Sequence, residues 1–166
     1  MSPAADFRQA LGSELAVLLG PGYTFLKSKS ELRAEVEGGH HVAVLSGSNK
    51  YSPFVEVAFY FGKNFAAAKR IEKQLGLFQF NYHVQQYSPN CAHSKRRTYL
   101  GPGTWSVDLL NPPPTLAAEV AEAIVGLSGP FLKKYGALAA ARDAIAANDP
   151  EVFGGRTFWA QLLRLD

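Results

Sequence analysis

The fold of this 166-residue chain is decided by residues 54–61, which read Phe-Val-Glu-Val-Ala-Phe-Tyr-Phe. β-Branched and aromatic side chains dominate the stretch, and such residues favour a strand over a helix. Successive side chains of a strand point to opposite faces, so Val55, Val57, Phe59 and Phe61 form one continuous apolar face. The stretch therefore predicts a strand with one face in the core of the protein.

The sequence on either side of this strand predicts its neighbours. Residues 41–46 form a second apolar run, and residues 47–53 between the two runs carry the Gly, Asn and Pro of a connecting loop. Residues 65–75 then change to helical spacing, with Asn64 as a candidate N-cap and Gly76 as a stop. The centre of the chain therefore predicts a β-hairpin that leads into a helix.

The other elements follow from the same periodicities. Helices are expected over residues 6–19, 115–127, 138–147 and 158–165, with a separate helical turn over 130–135, and strands over residues 23–27, 31–37, 77–87, 98–100 and 104–110. The three prolines after Asn111 end the sheet-rich part, because proline cannot continue a strand ladder. We therefore expect one α+β domain over residues 1–166. It consists of an antiparallel sheet of about five or six strands, an N-terminal helix, one inserted helix and a helical C-terminal third.

Composition narrows the classes of protein. Hydrophobic residues at 47% and charged residues at 19% are values of a globular chain, and the net charge of +3 is too small to indicate a nucleic-acid or membrane partner. A single cysteine, Cys91, excludes an intramolecular disulfide and a thiolate-based zinc site, so we expect no cofactor and no metal. The first residues do not resemble a secretory signal, and no apolar run has the length of a membrane span. We expect a cytoplasmic protein.

Two short strings resemble a known family. Residues 129–138, Gly-Pro-Phe-Leu-Lys-Lys-Tyr-Gly-Ala-Leu, look like the C-terminal tail of the small bacterial proteins grouped as domain-of-unknown-function family 4304. Gly22-Tyr23, followed by Phe25-x-Lys27-x-Lys29, is similar to that family's entry into its first strand. The chain departs from the family at Leu32-Arg33, where an aromatic-Arg pair is common. The resemblance implies an α+β fold and a bacterial source, and it brings no activity with it.

The strand over residues 31–37 is the first candidate site. Glu31, Arg33, Glu35 and Glu37 alternate with apolar residues, which predicts a charged face on one side of the strand. The simplest interpretation is a solvated face. The functional one is a surface that binds a basic protein partner.

A second set combines a thiol with imidazoles. Cys91 and His93 are two residues apart, and His83 precedes them across a polar loop. Such groups serve a thiol enzyme, in which a histidine lowers the pKa of the cysteine, or provide up to three metal ligands. No further Cys or His has matching spacing, so a loop cysteine with two solvated histidines is the simpler account.

A third set is basic. Lys95, Arg96 and Arg97 lie near aromatic residues, a combination that binds phosphate or stacks on bases. A charge run in a loop is more often solvated. The sequence thus leaves a nucleic-acid-binding interpretation open beside the other two.

The polar residues do not assemble into an acid, a base and a nucleophile, whereas the apolar ones are accounted for by a core. We therefore expect a non-enzymatic protein-binding module, of the kind that small bacterial α+β immunity or antitoxin-like proteins provide against a toxin or effector. The alternatives are a small thiol- or metal-dependent enzyme that uses Cys91 with His83 or His93, and a nucleic-acid binder that uses Lys95 to Arg97. His40-His41, at a strand start, is expected to place one ring inward and one outward.

Overall fold

The computed structural model of the chain describes residues 2–51, 53–66, 83–87, 104–147 and 149. Within them lie three α-helices, α1 (Pro3–Leu18), α2 (Leu116–Tyr135) and α3 (Leu138–Ala146), a 3-10 turn (Lys27–Lys29), and the strands β1 (Tyr23–Leu26), β2 (Glu31–Val36), β3 (Gly39–Tyr51), β4 (Phe54–Phe65), β5 (His83–Tyr87) and β6 (Thr104–Asp108). The predicted strands over 98–100 and the helix over 158–165 lie outside the described residues. So do most of the predicted helix over 65–75 and the first part of the strand over 77–87.

The strands form one antiparallel sheet in the order β1-β2-β3-β4-β5. Strands β5 and β6 both pair with the same edge of β4. Strand β6 pairs with the first half of β4, up to Ala58, and β5 pairs with the second half, from Tyr60 to Asn64. Helices α1 and α2 pack against the sheet and against each other. The architecture confirms the predicted α+β class with an antiparallel sheet, an N-terminal helix and helices in the C-terminal part.

The core lies between the helices and the predicted apolar face of β4. Val55, Val57, Phe59 and Phe61 are all buried, with at most 1% of their surface exposed. The ring of Phe61 meets the ring of Phe131 on α2 edge-on, with 5.3 Å between the centroids. The prediction that this face of β4 lies in the core is confirmed.

Helix α1 contacts the sheet through the stripe that its sequence spacing gives it. In α1 the buried residues include Leu11, Gly12 and Leu15. A Cβ atom on Gly12 would lie 2.2 Å from the ring of Phe25 on β1, so any larger residue here would force the ring to move. The N-terminal helix is therefore seated directly on the first strand.

The hairpin of β3 and β4 is longer than the sequence predicts. The expected loop over residues 47–53 is mostly strand: Gly47 pairs with Val57, Ser48 with Glu56, and Tyr51 with Phe54, after a register shift between Ser48 and Tyr51. Local composition favoured a loop. Pairing along the full length of β4 overrides that preference, and the irregular register accommodates the additional residues.

The C-terminal helices also differ from the prediction. The expected helix over 115–127 and the turn over 130–135 form one helix, α2, which continues through Pro130. Proline lacks the N–H that would bond to the preceding turn. Burial of Phe131, the next residue, and of Tyr135, one turn beyond Phe131, offsets that loss. Thr115 occupies the N-cap position, but its hydroxyl donates to the Glu119 carboxylate instead of capping the backbone.

In the part of the chain that the structure describes, no helix combines the length and the apolar character needed to cross a bilayer.

Replacing Phe59 with alanine tests the role of the β4 core face. Phe59 is fully buried between Phe61 and Trp105, so we expect the unfolding free energy of the protein to fall by about 3–5 kcal/mol in chemical denaturation. Phe54→Ala, on the same strand, is the matched control. Because 49% of Phe54 is exposed, we expect a loss below about 1 kcal/mol. Equal losses in the two variants would contradict this assignment of the core.

Candidate functional site

The alternation of β2 places its charged residues on the side of the sheet away from α1 and α2. We call this side the outer face. Leu32 and Ala34 are buried against the core, while Glu31, Arg33 and Glu35 occupy the outer face. The predicted fourth member, Glu37, lies beyond the end of β2, in the turn before β3. Three of the four predicted partner-binding residues are thus brought together on one surface.

Glu31 and Arg33 form an ion pair with each other. The Arg33 Nε and Nη2 atoms donate to Glu31 Oε1 over 2.9 Å and 2.7 Å. The Glu31 side chain is only 11% exposed and that of Arg33 26%. The expectation of a fully solvated acidic face is therefore wrong for Glu31, because a residue two positions along the strand on the same face neutralises it. Glu35 is the exposed carboxylate of this face of β2.

Strand register places Glu35 in a row of polar residues that crosses neighbouring strands. Glu35 on β2 pairs with His40 on β3, His40 pairs with Asn64 on β4, and Asn64 pairs with His83 on β5. A Cβ atom on Gly39, whose φ is +156°, would lie within 1.8 Å of the Asn64 carbonyl oxygen. Glycine at this position therefore allows the backbones that carry His40 and Asn64 to approach each other.

His40 and Asn64 are joined by a side-chain hydrogen bond of 2.8 Å between His40 Nε2 and Asn64 Nδ2. An amide nitrogen donates, so Nε2 accepts, which requires a neutral imidazole with its proton on Nδ1. Burial lowers the pKa of His40, and the nearby charge of Arg33 lowers it further. Glu35 and Glu31 raise it, and Lys29 lowers it. The net effect is a histidine that stays neutral at neutral pH.

The other end of the Asn64 amide has no such partner. Asn64 Oδ1 is buried and accepts no hydrogen bond in the part of the chain that the structure describes. A buried acceptor left unpaired costs about 1–3 kcal/mol, so such atoms are rare in folded proteins. The sequence does not indicate this residue as a site, because its periodicity ends the strand at Phe61 and makes Asn64 a candidate helix cap. The only signal in the sequence was the Gly38-Gly39 turn, which fixes the register at this end of the hairpin.

These side chains line a cleft of about 470 Å³. Its walls include Lys29, Arg33, Glu35, His40, Asn64 and Phe65. We call it the outer cleft. It offers cationic donors and a carboxylate, which makes it suitable for polar and charged ligands.

A second cleft, of about 630 Å³, adjoins the first at Phe65 and Ala66 and includes Glu37. There Lys63 donates to the backbone oxygen of Gly136, at the C-terminus of α2, over 2.8 Å. A cation at this end of a helix is favoured by the helix dipole. This contact ties α2 to the sheet, and we assign it a structural role.

His41 lies on the opposite side of β3 from His40, with Lys63 as its partner on β4. One ring of the pair therefore belongs to the outer face and the other to the helix side, as the sequence predicts. Burial lowers the pKa of His41, and the charges of Lys63 and His40 add to this effect.

The remaining predicted site residues are not assembled by the described part of the structure. His83 is in β5, opposite Asn64. Cys91, His93, Lys95, Arg96 and Arg97 lie outside the described residues. Among the residues that are described, no three His, Cys, Asp or Glu side chains are grouped to hold a metal ion.

Comparison with known proteins gives no relative. No family model, no curated protein and no solved structure matches the chain. The resemblance to family 4304 stays a prediction.

The lowered pKa values of His40 and His41 predict that the stability of the protein depends on pH. In the unfolded chain both titrate near 6.5, and in the folded chain at lower pH. Between these values the unfolded chain binds more protons, so we expect the unfolding free energy to fall as the pH drops through 6.5 and to level off below the folded pKa values. Denaturation at about pH 7.5 and about pH 5 measures the difference. In the double variant His40→Gln/His41→Gln the difference in unfolding free energy between the two pH values should be smaller. An unchanged difference would show that the two histidines do not cause the pH dependence.

The ion pair of β2 predicts a second stability effect. Arg33→Met leaves the Glu31 carboxylate nearly buried without its donor, so we expect a loss of about 1–3 kcal/mol in unfolding free energy. Lys29→Met is the control, because this exposed cation should change stability by less than about 0.5 kcal/mol. The double variant Glu31→Met/Arg33→Met should lose less than the sum of its single variants. Additive losses would show that the two groups do not act as a pair.

Proposed function

We propose that the chain is a non-enzymatic binding protein that binds a protein partner through the outer cleft. The observation that carries the proposal is the polar row Glu35, His40 and Asn64, which the register of three strands holds at one end of the sheet. Side chains on paired strands are held in place by the ladder, so the cleft presents its donors and acceptors without the cost of ordering a loop.

The chemistry of the cleft supports binding better than catalysis. No Ser, Thr or Cys is among the described residues that line it, so no hydroxyl or thiol nucleophile lies beside His40 there. Arg33 donates to Glu31, which limits its use in stabilising negative charge on a reacting group. What remains is a set of charged and hydrogen-bonding groups of both signs, the composition of the polar part of a protein interface.

Of the four residues expected to bind a partner, Arg33 and Glu35 line the outer cleft. Glu31 holds Arg33 in place, and Glu37 lines the neighbouring cleft. The acidic character that favoured a basic partner is therefore concentrated on Glu35. A cytoplasmic bacterial toxin or effector with a basic surface is the partner class that fits, by analogy with small α+β immunity and antitoxin-like proteins.

Capture from lysate of the source cell tests the proposal. We expect the full chain to retain one protein stoichiometrically and Glu35→Lys to retain it at least about tenfold less, because charge reversal places like charges at the contact. The matched control is Glu14→Lys, an exposed residue of α1 on the other side of the sheet, which should retain the partner unchanged.

Three other outcomes contradict the proposal. A partner that tolerates Glu35→Lys would move the binding surface away from the outer cleft. Retention that disappears after nuclease treatment of the lysate would favour the nucleic-acid interpretation of Lys95 to Arg97. If no protein is retained at all, the protein-binding function is wrong for that lysate.

A further inference from the structure

The contact that ties α2 to the sheet lies beside a histidine. Lys63 donates through Nζ to the backbone oxygen of Gly136, at the C-terminus of α2, over 2.8 Å. Strand register places His41 on β3 directly opposite Lys63 on β4. We propose that this contact is pH-sensitive, and that a proton on His41 weakens it and loosens the end of α2 at the second cleft. The inference is independent of the proposed function, because it concerns the helix side of the sheet.

The pleat of the two strands places the charged groups on the same side. Ala43 on β3 and Phe61 on β4 pair with each other and are both buried in the core. His41 and Lys63 are each two residues away from this pair along their strands, so both face the helix side as well. Both are half-buried, and the Lys63 ammonium lies 5.2 Å from the centroid of the buried Phe65 ring. Salt and water therefore screen the charges less than at an exposed pair.

The charges that act on His41 in the described part of the chain are both cationic. Burial lowers the pKa of His41, and the charges of Lys63 and then of His40 lower it further. On the other side of β3, the cross-strand partner of His41 is the uncharged Ala34. The interaction is reciprocal: because the Lys63 cation opposes a proton on His41, that proton in turn makes the position of the cation less favourable.

Lys63 has another place to go when His41 is charged. The exposed Glu37 carboxylate lines the second cleft together with Lys63 and Gly136, and the cleft is open to solvent. The cost of like charges opposite each other in a sheet is comparable to the gain from a cation at a helix C-terminus. One proton on His41 therefore shifts the balance toward the released lysine by about threefold.

The test is a pH titration of the isotopically labelled full chain by NMR, from about pH 7.5 to about pH 5. The carbonyl carbon of Gly136 reports whether its oxygen accepts a hydrogen bond, and the ring of His41 reports its own protonation. We expect the Gly136 resonance to move with the midpoint of the His41 ring, toward the position that it has in Lys63→Met. The Gly136 amide donates to Leu132, and its protection against hydrogen exchange should fall by about threefold over the same range.

Two pairs of variants assign the effect. His41→Gln should remove the transition of the Gly136 resonance, while His40→Gln, on the outer face, should retain it. Lys63→Met should raise the pKa of His41, while Lys133→Met, which removes an exposed cation from the last turn of α2, should leave that pKa unchanged. Lys63→Arg keeps the charge and should keep the transition, so the role of the cation is tested even if Lys63→Met fails to fold.

Three results would overturn the inference. The Gly136 resonance could stay fixed while His41 titrates, the transition could persist in His41→Gln, or the pKa of His41 could be the same with and without the Lys63 cation. None of these measurements involves a partner, so they stand apart from the capture experiment.

Discussion

Packing of the apolar face of β4 against α2 is the interaction on which the rest of the structure depends. Phe59 and Phe61 are fully buried, and Phe61, Phe131 and Tyr135 form a chain of ring contacts between the strand and the helix. Burial of an aromatic side chain contributes several kcal/mol, which is a large part of the net stability of a domain. Because β4 also pairs with β3, β5 and β6, a shift of this strand would displace the whole sheet.

The outer cleft follows from this core through the pleat of the strand. A residue next to a core residue in a strand must face the other way. The positions that place Phe61 and Lys63 on the helix side therefore place Asn64 on the outer side, and the register with β3 brings His40 beside it. A slip of one residue would bury Asn64 and His40 in the core and expose the phenylalanines, at a high cost in free energy. The geometry of the site is thus determined by the hydrophobic energy of the opposite face.

The parts of the fold that the sequence predicts are those governed by local pattern. Alternation identified the core face of β4 and the two faces of β2, and helical spacing identified α1 and most of α2. The differences arise where a distant partner decides. Residues 47–51 have the composition of a loop but pair with β4, and Pro130 has the signal of a helix end but lies in a helix whose next turns are buried.

The site was only partly predictable for the same reason. Glu31, Arg33 and Glu35 are visible in the sequence because they alternate within one strand. Asn64 and Lys29 become part of the site only through strand register and the turn before β2, which no local period reports. The ion pair between Glu31 and Arg33 is predictable only in part. Residues two apart in a strand share a face, but this spacing does not tell whether they bind each other or another molecule.

The difference between the charge of β2 in the sequence and in the structure bears on how the surface recognises other molecules. In the sequence the segment over residues 31–37 has three acidic residues and one basic one. In the structure one acid is paired, one lies beyond the strand, and Glu35 stands beside an uncharged His40 and an unpaired amide oxygen. Long-range attraction from a single exposed carboxylate is weak at physiological ionic strength, because salt screens it within about 8 Å. Selectivity at such a surface therefore depends on short-range contacts with the side chains that line the outer cleft.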